Sequence, residues 1–492
     1  MISVYVRERY PYSLSEMLGL FGYGEKKELK PFLEKLQLQN IISVIRRTDI
    51  YADWSEFADG LVDDDNETEQ LSVAYTFNFV GIICFAGRVF FCYPKYLRHG
   101  LKPFEEVKQV VKVIEKYSGK TQNITTYEQD KDNVRQNILA FMTYFLQDYY
   151  EYGLYRNEQE VVEFNGDGDI LWDKTINETT PLMVRETPYY INLYTSKQVH
   201  DNSDFFQRLH GCILTSISKD LQQYDLVDIL DIVPVDISDE TIDDFGNIEY
   251  ISERLDKELC VQFNTRKQNL LKAMRDYITK QYSLTDANLL TFYGTTSFYD
   301  VWEKVCGAVF GNMLHTSLRD LPVKLSNTDL DDRMLIDLID APKWHCQESG
   351  KTIAAGKTLI PDIATFYNMG GYWHFAIFDG KYYTPQLKGN SLSGIPGVGD
   401  ITKQYLYQLA FMPYLANVKS IKNCFLMPKT YYSNNVSEDD VSNGGYVAMN
   451  MFHQDDVKQA CLKDIEVRFL PPHKIYECYL NDKLFPIEEL NL

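Results

Sequence analysis

Ile360-Pro361-Asp362-Ile363-Ala364-Thr365-Phe366-Tyr367-Asn368-Met369-Gly370-Gly371-Tyr372-Trp373-His374-Phe375-Ala376-Ile377-Phe378-Asp379-Gly380-Lys381-Tyr382 is the stretch on which the reading of this chain turns. Two aromatic and β-branched runs flank a Gly-Gly pair, a two-residue turn that needs positive φ at both central positions. Asp362 stands eight residues before Gly370, and Asp379 stands eight residues after Gly371. A hairpin closed on that turn makes the two acids cross-strand partners, with Cβ atoms within about 5.5 Å. Lys381 follows Asp379 by two residues, so the pleat aims it at the same face.

Two carboxylates and an amine around one point can hold a divalent cation and orient a water. Mg²⁺ takes oxygen ligands and keeps several waters, so Asp362, Asp379 and a substrate phosphate suffice, and the Gly380 carbonyl can add a ligand. The bound ion neutralises charge on phosphorus and makes its water more acidic. Lys381 then holds the attacking water or the pentacovalent phosphate. The expected chemistry is phosphodiester hydrolysis. The plain alternative is two strand acids beside a surface lysine, since P-D and D-x-K are each common.

Further residues are candidates for the same site. Glu303 lies on an apolar helical pattern, Phe298 to Phe310. Its i+4 neighbour is Gly307, so no base stands at the usual helical partner position. It can therefore complete the metal shell and assist catalysis, or remain an exposed helix acid. Gln404 and Tyr407, three apart after Asp400, share a helix face. They are expected to touch the substrate backbone or the site lysine.

The whole chain of 492 residues carries a formal charge of −21, which argues against coating nucleic acid unaided. From Ala341 to Asn435, however, nine Lys and no Arg face four acids, a local +5 against −26 elsewhere. The segment with metal-site geometry is thus basic, as a phosphate-binding surface should be. Nine cysteines without a CxxC pair exclude a zinc ribbon or a disulfide framework. Cys84, Cys306 and Cys424 fall in apolar runs and read as reduced core thiols. The longest apolar run, Phe79 to Phe91, is too short to span a bilayer, and no signal peptide opens the chain. A cytoplasmic protein without membrane contact is expected.

Three α/β regions are expected on length. Residues 1–155 form an N-terminal α+β region, to which the family resemblance given below adds a partner-docking role, with short helices over Ser13–Leu20 and Pro31–Leu38 that suit a winged helix. Pro31 is placed at a first helical position. A strand over Ile41–Arg47, an acidic loop over Asp63–Glu69 and a hairpin over Leu71–Leu97 turning at Ala86-Gly87-Arg88 follow. Helices are expected at 103–118 and 131–152. Residues 156–283 form a middle α+β region, with a strand pair over Glu160–Thr175 and helices over Phe205–Leu221 and Arg266–Tyr282. Residues 284–492 form the nuclease domain: helix, hairpin, helix from about 401 to 411, strand over Asn423–Pro428. Gly350 to Thr358 is similar to a phosphate-binding P-loop, but its glycines are six apart and it leads into a strand. Ser216-Ile217-Ser218-Lys219 lacks companion motifs.

Pro361-Asp362 with Asp379-Gly380-Lys381 resembles the PD-(D/E)xK nuclease signature. The blocks around it resemble the LlaJI-type restriction endonucleases, relatives of the McrC subunit. They are Phe79-Val80-Gly81-Ile82-Ile83, Tyr93-Pro94-Lys95-Tyr96, Ile170-Leu171-Trp172-Asp173-Lys174-Thr175-Ile176, Tyr293-Gly294-Thr295, Val301-Trp302-Glu303-Lys304-Val305-Cys306 and Leu359-Ile360-Pro361-Asp362. They span about residues 79 to 430, leaving the first seventy outside. The resemblance implies a PD-(D/E)xK α/β core and a Mg²⁺-dependent DNA endonuclease subunit. It also implies a separate McrB-like AAA+ GTPase that reads and translocates DNA. The alternatives are a non-catalytic adaptor that stimulates such a partner, and a stand-alone DNA repair nuclease.

Overall fold

The computed structural model describes residues 3–46, 73–85, 88–129, 138–156, 158–200, 205–224, 226–280, 290–328, 332–347, 349–388, 391–430, 439–452 and 462–492. Helices and strands alternate through them in an α/β chain that divides into two compact units. One unit is residues 134–291. The other joins residues 2–133 to 292–492. The cut differs from the three regions expected from length, because the first 130 residues and the nuclease region share a unit. The helix Phe104–Gln129 accounts for this. Its Lys116 ammonium donates to the Tyr479 carbonyl at 2.7 Å and pairs with Asp482 at 2.6 Å, and Gln109 Nε2 donates to the His473 carbonyl at 2.8 Å.

The larger unit opens with the strand Ser3–Arg7 and the helix Leu14–Phe21. Ser13 and Glu16 form a capping box at its start, and Gly22, with φ 71°, ends it in the left-handed conformation. The second helix runs Lys26–Leu38, so Pro31 lies inside it and not at its first position. Lys26–Lys30 add a turn ahead of the proline, which leaves the Lys27 carbonyl without its helical donor. Strands Ile42–Arg46 and Val73–Phe77 pair antiparallel, and the acidic loop Asp63–Glu69 lies outside the described residues. Val80–Phe85 and Arg88–Tyr93 form the expected hairpin, and its turn at 86–87 is also outside them. Ser3–Arg7 adds to this hairpin in parallel.

The second sheet of this unit carries the candidate site residues. Its order is Ile363–Met369, Tyr372–Gly380, Ile421–Pro428, Ile465–Leu470, Ser442–Val447. The first pair is the Gly370-Gly371 hairpin, with both glycines at positive φ (60° and 81°). Its register pairs Ile363 with Phe378 and Phe366 with Phe375, the alignment required by a turn centred on the glycines. The helix Val398–Phe411, started by Gly397, crosses over to the parallel strand Ile421–Pro428. One sheet face buries Ala364, Phe366, Phe375 and Ile377 against Tyr407, Phe411, Leu335 and Leu338. The helix Phe298–Val309 packs on the other face, where Phe310 meets Phe378 edge-on. The last 30 residues supply the strand Ile465–Leu470 and the helix Pro472–Leu480, which complete this layer.

Residues 134–291 contain the helices Ile138–Tyr152, Phe205–Gln223, Ile248–Val261 and Thr265–Lys280. The expected strand pair over Glu160–Thr175 is rearranged. Glu158–Phe164 and Asp169–Ile170 each pair with Tyr194–His200 instead of with one another. Trp172–Glu178 is a helix, not a strand. Asn165, at φ 54°, and its side-chain bonds to 192–193 direct the chain toward the later strand.

Candidate active site

The open end of the hairpin, away from the glycine turn, places the candidate residues. Asp362 precedes the first strand by one residue, and Asp379 lies one register step beyond the Ile363–Phe378 pair. Asn312 fixes that end: its Nδ2 donates to the Asp362 carbonyl at 2.7 Å, and its Oδ1 accepts from Ala364 N at 3.2 Å. Tyr407 Oη donates to the Ile360 carbonyl at 2.9 Å, holding the incoming chain two residues earlier. Nothing in the spacing of Asn312 announced this role, since an asparagine after Gly311 reads first as a turn residue.

Asp379 is buried, and its two oxygens face different partners. Gln404 Nε2 donates to Oδ2 at 2.9 Å, while Oδ1 stands 3.1 Å from the Lys381 ammonium and makes no hydrogen bond. Asp362 Oδ2 is likewise buried without a hydrogen-bond partner. Burial first, then direct contact with Asp379 and the charges of Asp379 and Glu303, push the Asp362 carboxyl far above the usual carboxylate range, against the pull of Lys381. A half-buried acid touching a buried one, with Asp362 Oδ2 unpartnered and Asp379 Oδ1 facing only the lysine, is what a hard cation relieves. The donor set therefore fits Mg²⁺.

Lys381 lies between Asp379 and Asp400, the latter at 3.5 Å. Burial favours its neutral amine, but the charge and contact of Asp379, then Asp362 and Asp400, outweigh it and hold the ammonium. Its backbone N–H donates to the Leu426 carbonyl at 2.9 Å, and the buried Trp302 indole donates to the same oxygen at 3.1 Å. The central strand thus anchors the lysine to the helix behind the sheet.

Glu303 comes from that helix. It stays open to solvent at its edge. Partial desolvation, then the Asp379 charge, raise its carboxyl, with Lys381 opposing. It shares the electrostatics of the site. Among the described residues, no three His, Cys, Asp or Glu side chains stand close enough to hold a metal by themselves. Gly380 permits the helix to approach: a Cβ there would lie 3.2 Å from Glu303 Cα and 3.3 Å from Cys306 Cβ. Gln404 is fully buried and reaches Asp379, not the lysine, while Tyr407 reaches the chain ahead of Asp362. Both brace the acids from inside.

Beyond Lys381 a buried network begins. Tyr382 Oη donates to Glu8 Oε2 at 2.6 Å, and Lys95 N donates to the same carboxylate at 3.2 Å. Arg7 Nε donates to the Lys95 carbonyl at 3.0 Å. The Tyr93-Pro94-Lys95-Tyr96 block therefore lies against the residue that follows the site lysine. Cys84, Cys306 and Cys424 are buried free thiols, and no described helix is long and apolar enough to cross a membrane.

The component YdjA of the Type II restriction enzyme BsuMI, from Bacillus subtilis (strain 168), is 26% identical over 425 residues, covering 84% of this chain and 83% of that protein. A refined half-complex from a tetradecameric assembly of Thermococcus gammatolerans McrB AAA+ hexamers with bound McrC aligns over 98% of this chain and 99% of its own, at 12% identity and a TM-score of 0.36. The Thermococcus gammatolerans McrBC complex aligns over 62% and 86%, at 13% identity and a TM-score of 0.25. The sequence profile of the LlaJI restriction endonucleases matches residues 79–452, and with both acids and the lysine inside that span the chain belongs to the LlaJI restriction endonuclease family.

Proposed function

We propose that this chain is the Mg²⁺-dependent DNA endonuclease subunit of a restriction system, that its site is of the PD-(D/E)xK type, and that it works with an AAA+ GTPase partner. The observation that supports the reading is the meeting of Asp362 and Asp379 at the hairpin end, with Asp362 Oδ2 buried and unpartnered and Asp379 Oδ1 facing only the Lys381 ammonium at 3.1 Å. Family membership supports nuclease chemistry, and the relative that is named a component supports a multi-subunit system.

Asp362 and Asp379 would hold the ion, with the Gly380 carbonyl as a further oxygen. Bound there, Mg²⁺ supplies charge neutralisation at phosphorus and a more acidic water. Gln404 keeps Asp379 Oδ2 occupied and so holds the carboxylate in place, which would leave Oδ1, beside Lys381, as the oxygen available to an ion. Lys381 orients the attacking water and stabilises the anionic phosphorane through its ammonium. The water oxygen forms the new P–O bond, the bond to the departing deoxyribose oxygen breaks, and that oxygen is protonated by solvent. Glu303, whose carboxyl feels the charges of Asp379 and Lys381, would accept the water's proton. The N-terminal region is the proposed docking region for the motor subunit.

The test is cleavage of plasmid DNA by the full chain with Mg²⁺, the candidate partner and GTP. Asp379→Ala and Lys381→Ala should abolish cleavage and retain folding and partner binding. Full cleavage by Asp379→Ala protein removes the assignment. Stimulated GTP hydrolysis without cleavage identifies a non-catalytic adaptor, and cleavage without partner or nucleotide identifies a stand-alone nuclease.

A further inference from the structure

The segment that mimics a P-loop has a different structure. Lys343–His345 and Thr352–Ala354 form a separate two-stranded ribbon. Two backbone hydrogen bonds close its described turn residues: Cys346 N donates to the Lys351 carbonyl and Gly350 N to the Cys346 carbonyl, both at 2.9 Å. Gly350, at φ 63°, takes the left-handed position. Both faces of the ribbon are exposed. Trp344 and Ile353 are register partners on one face and are 74% and 62% exposed. Lys343 and His345 lie on the other face, and Lys351 stands at the turn.

A two-stranded hairpin without a covering layer is marginal alone. An exposed Trp paired with an exposed Ile is apolar surface awaiting a partner. The root, by contrast, is firmly held. Ala355 N donates to the Pro342 carbonyl at 2.7 Å, and Thr358 Oγ1 donates to the Ile339 and Asp340 carbonyls at 3.1 and 2.9 Å. Ile339, Leu338 and Leu335 are buried with Ala364, Phe366, Phe375 and Ile377, on the sheet face that Asp362 and Asp379 share. Three residues lie between Thr358 and Asp362. The ribbon is therefore planted on the same side of the sheet as the two acids, and its lysines belong to the basic stretch of an otherwise acidic chain.

Resting on the nuclease reading above, we propose that the ribbon 343–354 grips duplex DNA beside the scissile phosphate. A major groove admits a two-stranded ribbon, phosphates take lysines along its walls, and an aromatic–aliphatic pair can pack on thymine methyl groups and base edges. Lys343, Lys351 and Lys357 meet phosphates, and Trp344 with Ile353 meets the groove floor. Charge selects this occupant over a protein surface, because the ribbon carries Lys343 on its opposite face and Lys351 at its turn, Lys357 follows, and Glu348 is the single acid from 341 to 358.

The experiment is fluorescence anisotropy of a labelled 30-base-pair duplex with the full chain, without Mg²⁺, across about 50 to 200 mM salt. Trp344→Ala should weaken binding about ten-fold and leave the salt slope unchanged. The double variant Lys343→Ala/Lys351→Ala should lower the slope of log K against log salt by about 0.9 per lost phosphate contact. Unchanged affinity and slope in both variants, absence of duplex binding by the parent, or loss of partner capture with DNA affinity intact would each overturn the proposal. The plasmid assay separates it from the catalytic reading. A parent that cleaves while ribbon variants bind normally defeats only this inference. A parent that binds DNA through the ribbon without cleaving defeats only the nuclease assignment.

Discussion

Tyr382 donates its phenolic hydrogen to Glu8 across 2.6 Å of buried interior, joining the first strand of the chain to the residue after the site lysine. Burial drives the Glu8 carboxyl upward, with the Lys95 charge opposing, so this hydrogen bond offsets part of the cost of a buried acid. Tyr382→Phe leaves Glu8 with one partner fewer in a site water cannot reach. The expected loss is about 1–3 kcal/mol of stability. Glu8→Gln, which still accepts from Tyr382, should cost less in the same urea titration. Equal losses in the two variants would remove the network as the cause.

Gln404 tests the brace behind Asp379. Gln404→Ala frees the inner carboxylate oxygen and lets the acid rotate away from its neighbour. Outer partners of this kind are worth about 10–100-fold in metal affinity or activity. Mg²⁺ titration of cleavage should show a raised half-saturating concentration, while circular dichroism shows a folded chain. A variant with normal Mg²⁺ dependence would mean that Asp379 is held by other contacts.

Gly380→Ala introduces a methyl group 3.2 Å from Glu303 Cα and 3.3 Å from Cys306 Cβ. Neither is the end of a flexible side chain, so strand and helix must separate. Overpacking of this type costs about 1–3 kcal/mol. A lower melting temperature and reduced cleavage should appear together. Gly307→Ala on the same helix meets nothing within 4 Å and serves as the neutral control.

His210 gives the unit 134–291 an acid-sensitive core. Its Nδ1 accepts from Tyr155 N at 3.0 Å, and burial, then the Arg266 charge, lower its pKa from 6.5 to about 3. Between those values the unfolded chain binds a proton that the folded chain refuses. The stabilisation is complete above pH 6.5 and falls as pH drops toward 3, at most about 1.4 kcal/mol per pH unit. Opening free energies of the helix Phe205–Gln223 from hydrogen exchange should show this slope. His210→Asn, which still accepts from Tyr155, should flatten it; an unchanged slope assigns the sensitivity to other groups.

The hairpin and its facing acids were legible because a Gly-Gly turn sets register locally and the pleat then fixes every face. The helix Phe298–Val309 and the crossover helix after Gly397 followed from apolar spacing. What sequence spacing missed was of two kinds. Pro31 was assigned to a helix start because proline suits that position, yet local packing of Leu29, Leu33 and Leu36 carried the helix one turn further back. The braces Asn312, Glu8 and Lys95 act across long stretches of chain, and no periodicity encodes partners 87 and 374 residues apart. Gln404 and Tyr407 were picked out correctly as one helix face. Their targets were hidden, because a shared face does not say what lies opposite.

The equal count of residues on either side of Gly370-Gly371 constrains how this chain can drift through evolution. Losing one residue from a single arm of the hairpin would set an acid opposite a phenylalanine and turn the lysine to the wrong side. Losing one from each arm would shorten the tip and leave the business end aligned. Length changes in this part of the gene should therefore arise as compensated pairs, even where the amino acids between them vary freely.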